Sequence, residues 1–576
     1  MMHPRTVGRA REDARTRGAE RAPSAPRRSR ARERRPTAFA GTIALTRLAV
    51  RYDRVRLPAW TLGTAAILCL WVTSVVASYP TAQDRMGQAR VFARSAAARA
   101  VDGAVSGTGI GSLVMAEVLI SAAAAVGLIS TFAVVRLTRA HEEAGRADLV
   151  GAGAVGRCAA PAAALLRVLG ANVLLVPPAA GALIVNGLPA AGSFAAAAGL
   201  GGVGVACGAM AAVAAQLTAT ARGANLLAVA LVAAAFLVRA VGDVMGHVGP
   251  GGVSVEGAWP SWLSPIGWCQ KLSPYAGERW WVLALFAVFS GAAAALAFRL
   301  AAHREIGAGV LPAREAAEGA PRSLRGPIGL AWRIQRAHLL GWAIAFVALG
   351  ATFGGIGAEA EEIVRTSDQL TTFADRLGGA EPVQVWFTFH MGLTAAILTA
   401  RFTVQALQKM RAEEAAGRLG PLLTAGVGRS RWLLAHVLWV AAGTVGLLLL
   451  IALSAAAAYG AASGDATGEL GAILGGAAAR IPAEFVVGGA AIAVFGLAGP
   501  RARVPMWLVF VVAVVLGPLA MFGDLPQPLL DVSPFTHVHE VPAGPVGVVP
   551  VLGLLAAACA FTAVGLLAFR RRDLAG

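Results

Sequence analysis

The sequence predicts an all-α integral membrane protein with twelve transmembrane helices, arranged as two parallel six-helix repeats. Composition is the first reason: of 576 residues 57% are hydrophobic and 14% are charged, and the mean hydropathy is +0.65. Apolar stretches of about 20 residues, long enough to cross a bilayer as a helix, recur along the chain. Polar motifs of one half also recur in order in the other. A membrane β-barrel would need alternating apolar and polar residues, and this pattern is lacking.

The chain begins with an arginine-rich segment. Residues 1–57 contain 16 arginines and 5 acidic residues, a net charge of +11. Arginine-rich flanks stay in the cytoplasm, so we expect a cytoplasmic N-terminus and a disordered tail over residues 1–40. Aromatic residues that could stack on bases are nearly absent from this segment, so we expect no nucleic-acid partner. Residues 41–320 and 321–576 are then predicted as the two six-helix units.

Apolar runs between charged residues define the twelve predicted spans. In the first unit they cover Pro58–Ser78, Leu113–Val135, Val168–Val185, Phe194–Ala215, Ala224–Val241 and Trp280–Phe298. In the second unit they cover Leu339–Ile356, Val383–Ala400, Trp432–Ala458, Leu470–Leu497, Val504–Phe522 and Val546–Phe569. Charged residues interrupt two of these spans, Arg239 in the fifth and Arg480 with Glu484 in the tenth.

The charges between the spans predict the orientation. With the N-terminus inside, arginines such as Arg136, Arg157, Arg304 and Arg429 fall in inside loops, while acids dominate the late outside loops, as the positive-inside rule expects. The outside loop 79–112 is an exception with four arginines, but long loops translocate despite their charge. An even number of spans in each unit places both termini in the cytoplasm, with the spans in the plasma membrane.

The internal repeat is carried by short motifs at nearly constant spacing. Gly145 and Arg146 lie 272 residues before Gly417 and Arg418, and the tripeptide ending at Arg157 lies 272 before the one ending at Arg429. Further pairs are Arg51, Arg54 and Trp60 with Arg333, Arg336 and Trp342, Ser264-Pro265 with Ser533-Pro534, and Arg304-Glu305-Ile306 with Arg572-Asp573-Leu574. Because each unit has an even number of spans, the repeat is parallel and not inverted.

The repeated motifs centre on the loop between the second and third spans of each unit. Its charged residues are Glu142, Glu143 and Arg146 in the first copy, and Glu413, Glu414 and Arg418 in the second. One interpretation is a solvated helix with pairs three and four residues apart, each contributing about 0.2–0.5 kcal/mol. That interpretation does not explain why the downstream Val-Gly-Arg also recurs at the same distance. The alternative is that both loops meet a partner.

This loop resembles a known one. The Glu-Glu and Gly-Arg pairs followed by "LVGAGAVGR" or "LGPLLTAGVGR" resemble the loop between spans two and three of type-2 ABC exporter permeases. "VVRLTRAHEEAGRADLVGAGAVGR" and "WLSPIGWCQKLSPYAGERWW" are similar to actinobacterial double-length permeases of the tetronasin or polyketide-antibiotic exporter group. The resemblance covers roughly residues 46–576. The second unit departs from it where "SPFTHVHEVPAGP" replaces the tryptophan-rich outer segment.

The resemblance implies a function and a partner. In such permeases the loop is a coupling helix that sits in a groove of an ABC ATP-binding subunit, so the six loop residues become candidate coupling residues. It implies an exporter of a lipophilic compound such as a polyketide antibiotic, with membrane lipid around the spans. ATP and Mg²⁺ would bind a homodimeric partner, and this chain would need no cofactor.

The chain itself has no motif for catalysis. Its two lysines, Lys271 and Lys409, are followed by Leu and Met, so a phosphate-binding G-x-x-x-x-G-K-[ST] loop is missing and ATP hydrolysis is expected on another chain. "GLGGVG" at residues 199–204 lies inside an apolar span, where glycines favour helix packing over dinucleotide binding. His537 and His539 are poorly spaced for a metal site, and five scattered cysteines add none.

Arg480 and Glu484 form a candidate polar site inside the membrane. Because they are four residues apart, they are expected to neutralise each other on one helix face. The alternative is that they form a functional site for a proton or a substrate. Two other functions therefore stay open at this point. A proton-coupled secondary drug exporter with the same 6+6 layout would use ionisable residues within its spans. A non-transporting membrane scaffold or immunity protein would have no need for two copies of the loop.

Overall fold

A computed structural model describes residues 37–146, 155–305, 307–311, 326–358, 375, 381–464, 469–518, 526–538 and 547–573. Most of the predicted tail, the segment 147–154 of the first repeated loop and the predicted unit boundary at 320 and 321 lie outside these residues. The division into two units at that boundary therefore stays a prediction.

Within the first half, the described residues are mainly helical and include one short β-hairpin. Its helices are α1 (Thr42–Tyr52), α2 (Arg56–Ser78), α3 (Ala82–Arg94), α4 (Ala96–Val101), α5 (Ile110–Val114), α6 (Ile120–Leu137), α7 (Arg139–Glu143), α8 (Ala159–Val185), α9 (Ala190–Leu217), α10 (Ala221–Val244), α11 (Pro265–Lys271) and α12 (Val282–His303). Strands β1 (His247–Val248) and β2 (Val255–Glu256) pair antiparallel between α10 and α11.

The second half continues the helical pattern. Its helices are α13 (Pro327–Gly357), α14 (Pro382–His390), α15 (Ala396–Ala415), α16 (Leu419–Thr424), α17 (Arg429–Ser463), α18 (Leu470–Ala479), α19 (Ile481–Ala498), α20 (Arg503–Val515), α21 (Gln527–Leu530) and α22 (Val548–Arg571). A 3₁₀ turn, Gly499–Ala502, joins α19 to α20.

Among the described residues, eleven helical segments are long and apolar enough to cross a membrane. Ten correspond to single predicted spans, and the remaining segment, Leu470–Val515, contains the predicted tenth span and the first part of the predicted eleventh. The two merge because only the 3₁₀ turn separates them, although Gly499 has a positive φ of 57° that breaks the helix there. The described part of α20 has 13 residues, too few to count as a span alone. The fold is thus an all-α integral membrane architecture, as the composition predicts.

The same helix pairs pack in both halves. The first span packs on the third (α2 on α8, α13 on α17), the second on the fourth (α6 on α9, α15 on α19), and the fourth on the sixth (α9 on α12, α19 on α22). Small residues make these approaches possible, as is usual between membrane helices. A Cβ atom on Gly354 of α13 would lie 1.9 Å from the carbonyl oxygen of Ala455 on α17.

Each second span also contains a π-helical turn at an equivalent place. The turns are Met115–Leu119, between α5 and α6, and Met391–Ala395, between α14 and α15. π-Turns concentrate at functional sites because they displace side chains from the regular helical positions. In the first turn Glu117 accepts hydrogen bonds from the Tyr79 hydroxyl at 2.9 Å and from Gln88 Nε2 at 3.3 Å.

Arg239 does not end the predicted fifth span. Helix α10 continues through it to Val244, and the Arg239 side chain is buried. Its Nη1 lies 3.1 Å from Asp243 Oδ2, one turn further along the same helix. Its Nη2 donates to the carbonyl oxygen of Ala100 at 2.6 Å. The buried charge is therefore paired and hydrogen-bonded near the C-terminal end of α10, where it connects α10 to α4.

Candidate functional site

The two repeated loops begin with the same helix ending. Gly145 has φ +68° and Gly417 has φ +69°, so both positions require a backbone conformation that favours glycine. The amide of Gly145 donates to the carbonyl of Glu142 at 3.0 Å, and the amide of Gly417 donates to that of Glu414 at 2.9 Å. This ending stops the helix and redirects the chain, which gives a physical reason for the repeated Gly-Arg.

In the first loop, Glu142 is bound by an arginine at the end of the sixth span. Arg304 Nη1 donates to Glu142 Oε2 at 2.9 Å, and Arg304 Nε donates to Gln216 Oε1 at 2.6 Å. Arg139 Nη1 lies 2.8 Å from Glu142 Oε2, and its side chain is fully buried. Glu142 thus joins the ends of α7, α9 and α12 in one network.

The second loop repeats this arrangement. Arg572, which follows α22, donates from Nη2 to Glu414 Oε2 at 2.9 Å, and its Nη1 lies 2.9 Å from Oε1. The Glu414 side chain is 2% exposed and the Arg572 side chain 17%. The guanidinium also lies over the rings of Phe495 and Phe569, at 5.6 Å and 5.5 Å from their centroids. This is a largely desolvated ion pair with a cation–π contribution.

A second contact ties the far end of each loop to the same sixth span. Arg157 Nη1 donates to the carbonyl oxygen of Ala302 at 3.1 Å. Its repeat counterpart Arg429 donates to the carbonyl oxygen of Arg570 at 3.1 Å. Both ends of each loop are therefore attached to the end of the sixth span of its own half. We call these contacts the loop clamps: Glu142–Arg304 with Arg157–Ala302, and Glu414–Arg572 with Arg429–Arg570.

The remaining predicted coupling residues are placed differently. Glu143 Oε2 accepts a hydrogen bond from the amide of Ala221, at the start of α10, at 3.1 Å. Glu413 Oε1 lies 2.8 Å from Arg418 Nη2, whose side chain is 61% exposed. Arg146 is exposed and makes no ion pair within the described part of the chain.

The interpretation of the loops as solvated helices with pairs three and four residues apart fits the described residues only in part. In the first loop, Arg139 and Glu142, three residues apart, form such a pair. In the second loop, Lys409 Nζ donates to the carbonyl of Ile334 at 3.1 Å, and Arg411 Nη1 donates to that of Pro500 at 3.2 Å. These two cations therefore contact neighbouring segments, while Arg418 pairs with Glu413, five residues before it.

The apolar part of the second loop forms the short helix α16. Leu419 is buried and anchors the helix, whereas Gly420, Pro421 and Thr424 are exposed. The clamp thus holds a short helix with one free face at the end of the bundle. The corresponding segment of the first loop, residues 147–154, lies outside the described residues.

On the same side of the bundle, the first half has a cluster of three arginines around one carboxylate. Asp53 accepts hydrogen bonds from Arg136 at 3.0 and 2.6 Å, and its Oδ2 lies 2.9 Å from Arg167 Nη2. Arg56 lies 3.9 Å away. Burial alone would raise the pKa of Asp53, but the hydrogen bond and charge of Arg136, with the charges of Arg167 and Arg56, hold that pKa below its usual range.

The sequence analysis missed this cluster, although one signal was visible. Asp53 is the only acid between Glu33 and Asp84, and it stands between two arginine-rich stretches just before the first span. An acid with arginines on both sides of it in the sequence is expected to pair with some of them. The cluster joins α2, α6 and α8, the first three spans of this half, near their ends.

Arg480 and Glu484 are both buried, but they do not form the predicted ion pair. Arg480 lies at the junction of α18 and α19, and its guanidinium donates to the backbone carbonyls of Gly476 and Thr388. Neither carboxylate oxygen of Glu484 has a hydrogen-bond partner. The prediction of mutual neutralisation is therefore wrong, because the arginine side chain extends toward the start of its helix and reaches carbonyls there.

The described helices and their repeated packing define a multi-pass helical membrane protein, and two comparisons define its family. Residues 324–570 match the family profile described as the multidrug efflux system permease Rv1217c, C-terminal domain. The chain is 36% identical over 545 residues to the multidrug efflux system permease protein Rv1217c of Mycobacterium tuberculosis. The aligned residues make up 94% of this chain and 96% of that protein. The chain therefore belongs to the family of this multidrug efflux permease.

Proposed function

We propose that this chain is the permease of an ATP-driven ABC exporter that removes lipophilic compounds from a bacterial cell. A separate ABC ATP-binding subunit, acting as a homodimer, would hydrolyse ATP. The printed description of the M. tuberculosis relative, a multidrug efflux system permease, supports the transport role. The loop motifs resemble those of type-2 ABC exporter permeases and support the ATP-driven mechanism. Polyketide antibiotics of the tetronasin type are the cargo that the sequence resemblance favours.

The loop clamps are the observation that carries this proposal. Each clamp fixes a predicted partner-facing loop to the end of the sixth span, while the loop itself connects the second and third spans. A displacement of the loop therefore acts on the second, third and sixth spans of that half together. A homodimeric ATPase has two equivalent surfaces, and two equivalent loops would match them. With the N-terminus in the cytoplasm, both loops and the C-terminus lie in the cytoplasm as well.

A proton-coupled drug exporter is the second candidate, and one observation favours it. Glu484 is a buried carboxylate without a hydrogen-bond partner in the middle of a span, and intramembrane acids of this kind occur in proton relays. The two mechanisms differ in their energy source. Transport should follow ATP in the first and the proton gradient in the second.

The experiment uses inside-out vesicles from cells that express the chain together with its candidate ATP-binding subunit. We expect Mg-ATP to drive accumulation of a neutral lipophilic antibiotic, also after a protonophore has collapsed the proton gradient. Vesicles whose ATP-binding subunit lacks its phosphate-loop lysine serve as the control and should accumulate none. Accumulation that stops with the protonophore and persists in the control vesicles would identify a proton-coupled carrier instead.

A further inference from the structure

The fourth span of the second half carries a carboxylate without the partners that such a group normally has. Glu484 lies in α19, midway between Leu470 and Ala498, and is 0% exposed. Neither of its oxygens accepts a hydrogen bond, and no ion pair to it forms within the described part of the chain. Buried polar groups are nearly always hydrogen-bonded, since loss of hydration is otherwise uncompensated. We therefore expect a ligand that supplies the missing partner of the Glu484 carboxylate.

Glu484 lines a cavity of about 390 Å³ between four helices. Thr403 of α15, Thr444 of α17 and Thr562 of α22 supply hydroxyl groups, and the rest of the lining is mainly aliphatic. Glu484 is the only charged side chain among the described residues that line this cavity. Its volume falls in the range of small-molecule sites, which are mostly apolar with a few polar groups that orient the ligand.

We infer that this cavity binds a lipophilic monocation, such as an organic ammonium or phosphonium compound, with Glu484 as its counter-charge. The inference rests on the proposed function, because it adds lipophilic monocations to the neutral compounds that the proposed exporter recognises. The aliphatic wall accepts the hydrocarbon part of such a compound, and a positive charge gives the carboxylate the partner that it lacks. Attraction between opposite charges is strong in surroundings of low dielectric constant, so a neutral compound of equal size gains less.

Two ionisable side chains of the packed helices make contacts with groups other than Glu484. Arg480, four residues before Glu484, donates to the carbonyls of Gly476 and Thr388. His436 on α17 packs against the ring of Trp432, with centroids 4.9 Å apart. Glu117, a half-buried glutamate of the first half, differs from Glu484 because it has hydrogen-bond partners in Tyr79 and Gln88.

In the first half, Asn172 occupies the corresponding place between the second, third and fourth spans. Asn172, 272 residues before Thr444, donates from Nδ2 to the Ser130 hydroxyl at 3.1 Å. A Cβ atom on Gly204 of α9 would lie 1.9 Å from Asn172 Oδ1, so the fourth span packs directly against this side chain. The corresponding place in the second half has the shorter Thr444, whose hydroxyl pairs with that of Thr403 at 2.8 Å. The smaller side chain leaves the space that Glu484 lines.

The test measures binding to the purified full-length chain in lipid nanodiscs, without ATP. The probes are tetraphenylphosphonium and tetraphenylborate, ions of similar shape and opposite charge, and uptake by empty nanodiscs is subtracted. We expect saturable binding of the cation alone. Glu484→Gln should weaken it by about tenfold or more, because the amide keeps the shape and removes the charge. Glu484→Asp should retain the preference for the cation.

Two further variants separate loss of the site from general damage. Glu117→Gln alters a half-buried acid of the other half that already has its own partners, and it should leave cation binding unchanged. Ala441→Phe fills the cavity from α17 and should weaken cation binding although the carboxylate is still present. Wild-type cation binding in Glu484→Gln or in Ala441→Phe would overturn the inference.

The binding assay tests the cation site and the transport assay tests the ATP-driven mechanism, so either proposal can be contradicted without the other. If the wild-type chain binds neither probe but ATP-driven efflux of a neutral antibiotic is intact, the cation site is wrong and the exporter proposal stands. If the cation binds through Glu484 but ATP drives no efflux of any compound, the site stands as a binding site and the ATP-driven mechanism is wrong.

Discussion

Two adjacent glutamates of the second loop differ in their ion-pair partners and in their burial. Glu414 is buried against Arg572, whereas Glu413 pairs with the mostly exposed Arg418. Removing one partner of a buried pair leaves an uncompensated charge and costs about 3–5 kcal/mol, with the lower end expected here because Arg572 is partly exposed. An exposed pair contributes about 0.2–1 kcal/mol. We therefore expect Glu414→Ala to lower the unfolding temperature and reduce export, and Glu413→Ala to change stability little.

The measurement is thermal unfolding of the two purified variants, together with export from cells at matched expression. Glu142→Ala should behave like Glu414→Ala, because Glu142 has the equivalent partner Arg304. Glu413→Ala that abolishes export without loss of stability would show direct contact with the ATP-binding subunit. Equal stability of Glu413→Ala and Glu414→Ala would contradict the clamp.

Asp53 predicts a dependence of stability on pH. Its pKa is lower in the folded protein than the usual value of about 3.9, so its carboxylate stabilises the fold at every pH above about 4. That contribution is lost as the pH falls through the lower pKa of the folded state. We expect Asp53→Asn to lower the unfolding temperature at pH 7, and the difference from the wild type to shrink below about pH 4.

Unfolding is followed from pH 7 to pH 3, with Asp531→Asn as the control, since Asp531 is exposed. A difference between wild type and Asp53→Asn that stays constant over the whole range would show that the arginine cluster does not depend on the charge of Asp53.

At the scale of elements, the close contact between the first and third spans of the second half can be tested within one helix. A methyl group on Gly354 would overlap the carbonyl of Ala455, while a methyl group on Gly341 would meet nothing within 4 Å. Overpacking costs about 1–3 kcal/mol. Alanine in an open helical position is favoured over glycine by up to about 1 kcal/mol. We expect Gly354→Ala to lower the unfolding temperature and Gly341→Ala to leave it equal or higher. Equal effects would show that α13 and α17 are not in close contact at Gly354.

The sequence predicts the helices well because hydropathy is a local property. Their ends are less predictable: α13 begins at Pro327 and the predicted span at Leu339, because the helix continues past the apolar stretch. The count of spans differs because a 3₁₀ turn of four residues joins α19 to α20.

The candidate site is harder to predict because its contacts are long-range. Glu142 and Arg304 are 162 residues apart, and a rule for neighbours three or four positions apart finds only the pair with Arg139. The same rule predicts a pair between Arg480 and Glu484 that does not form, because nearby backbone carbonyls compete for the arginine. The repeated spacing does mark both loops, since it reflects a shared geometry.

At the scale of the whole molecule, the proposed function predicts which chain hydrolyses ATP and how many copies of each chain the complex contains. The chain lacks a phosphate-binding loop, so the purified chain alone should hydrolyse no ATP. With its ATP-binding subunit, drug-stimulated hydrolysis should appear. Native mass spectrometry should find one permease chain for each pair of ATP-binding subunits, because one chain already carries both loops. Two permease chains per pair would contradict the fused-repeat interpretation.

Glu484 has a consequence for symmetry. In a transporter assembled from two identical half-size chains, every side chain occurs twice, and a carboxylate near the middle of the membrane would bring a second negative charge with it. Here both halves lie on one chain, and Asn172 occupies the corresponding place in the first half, in direct contact with Gly204. Among the described residues, an intramembrane glutamate with neither oxygen hydrogen-bonded is therefore present in one half only, and the complex should hold one cation at a time. If both loops contact the proposed ATP-binding subunit, joining two copies in one chain would let one half specialise in recognition while both halves keep the same mechanical connection to that subunit.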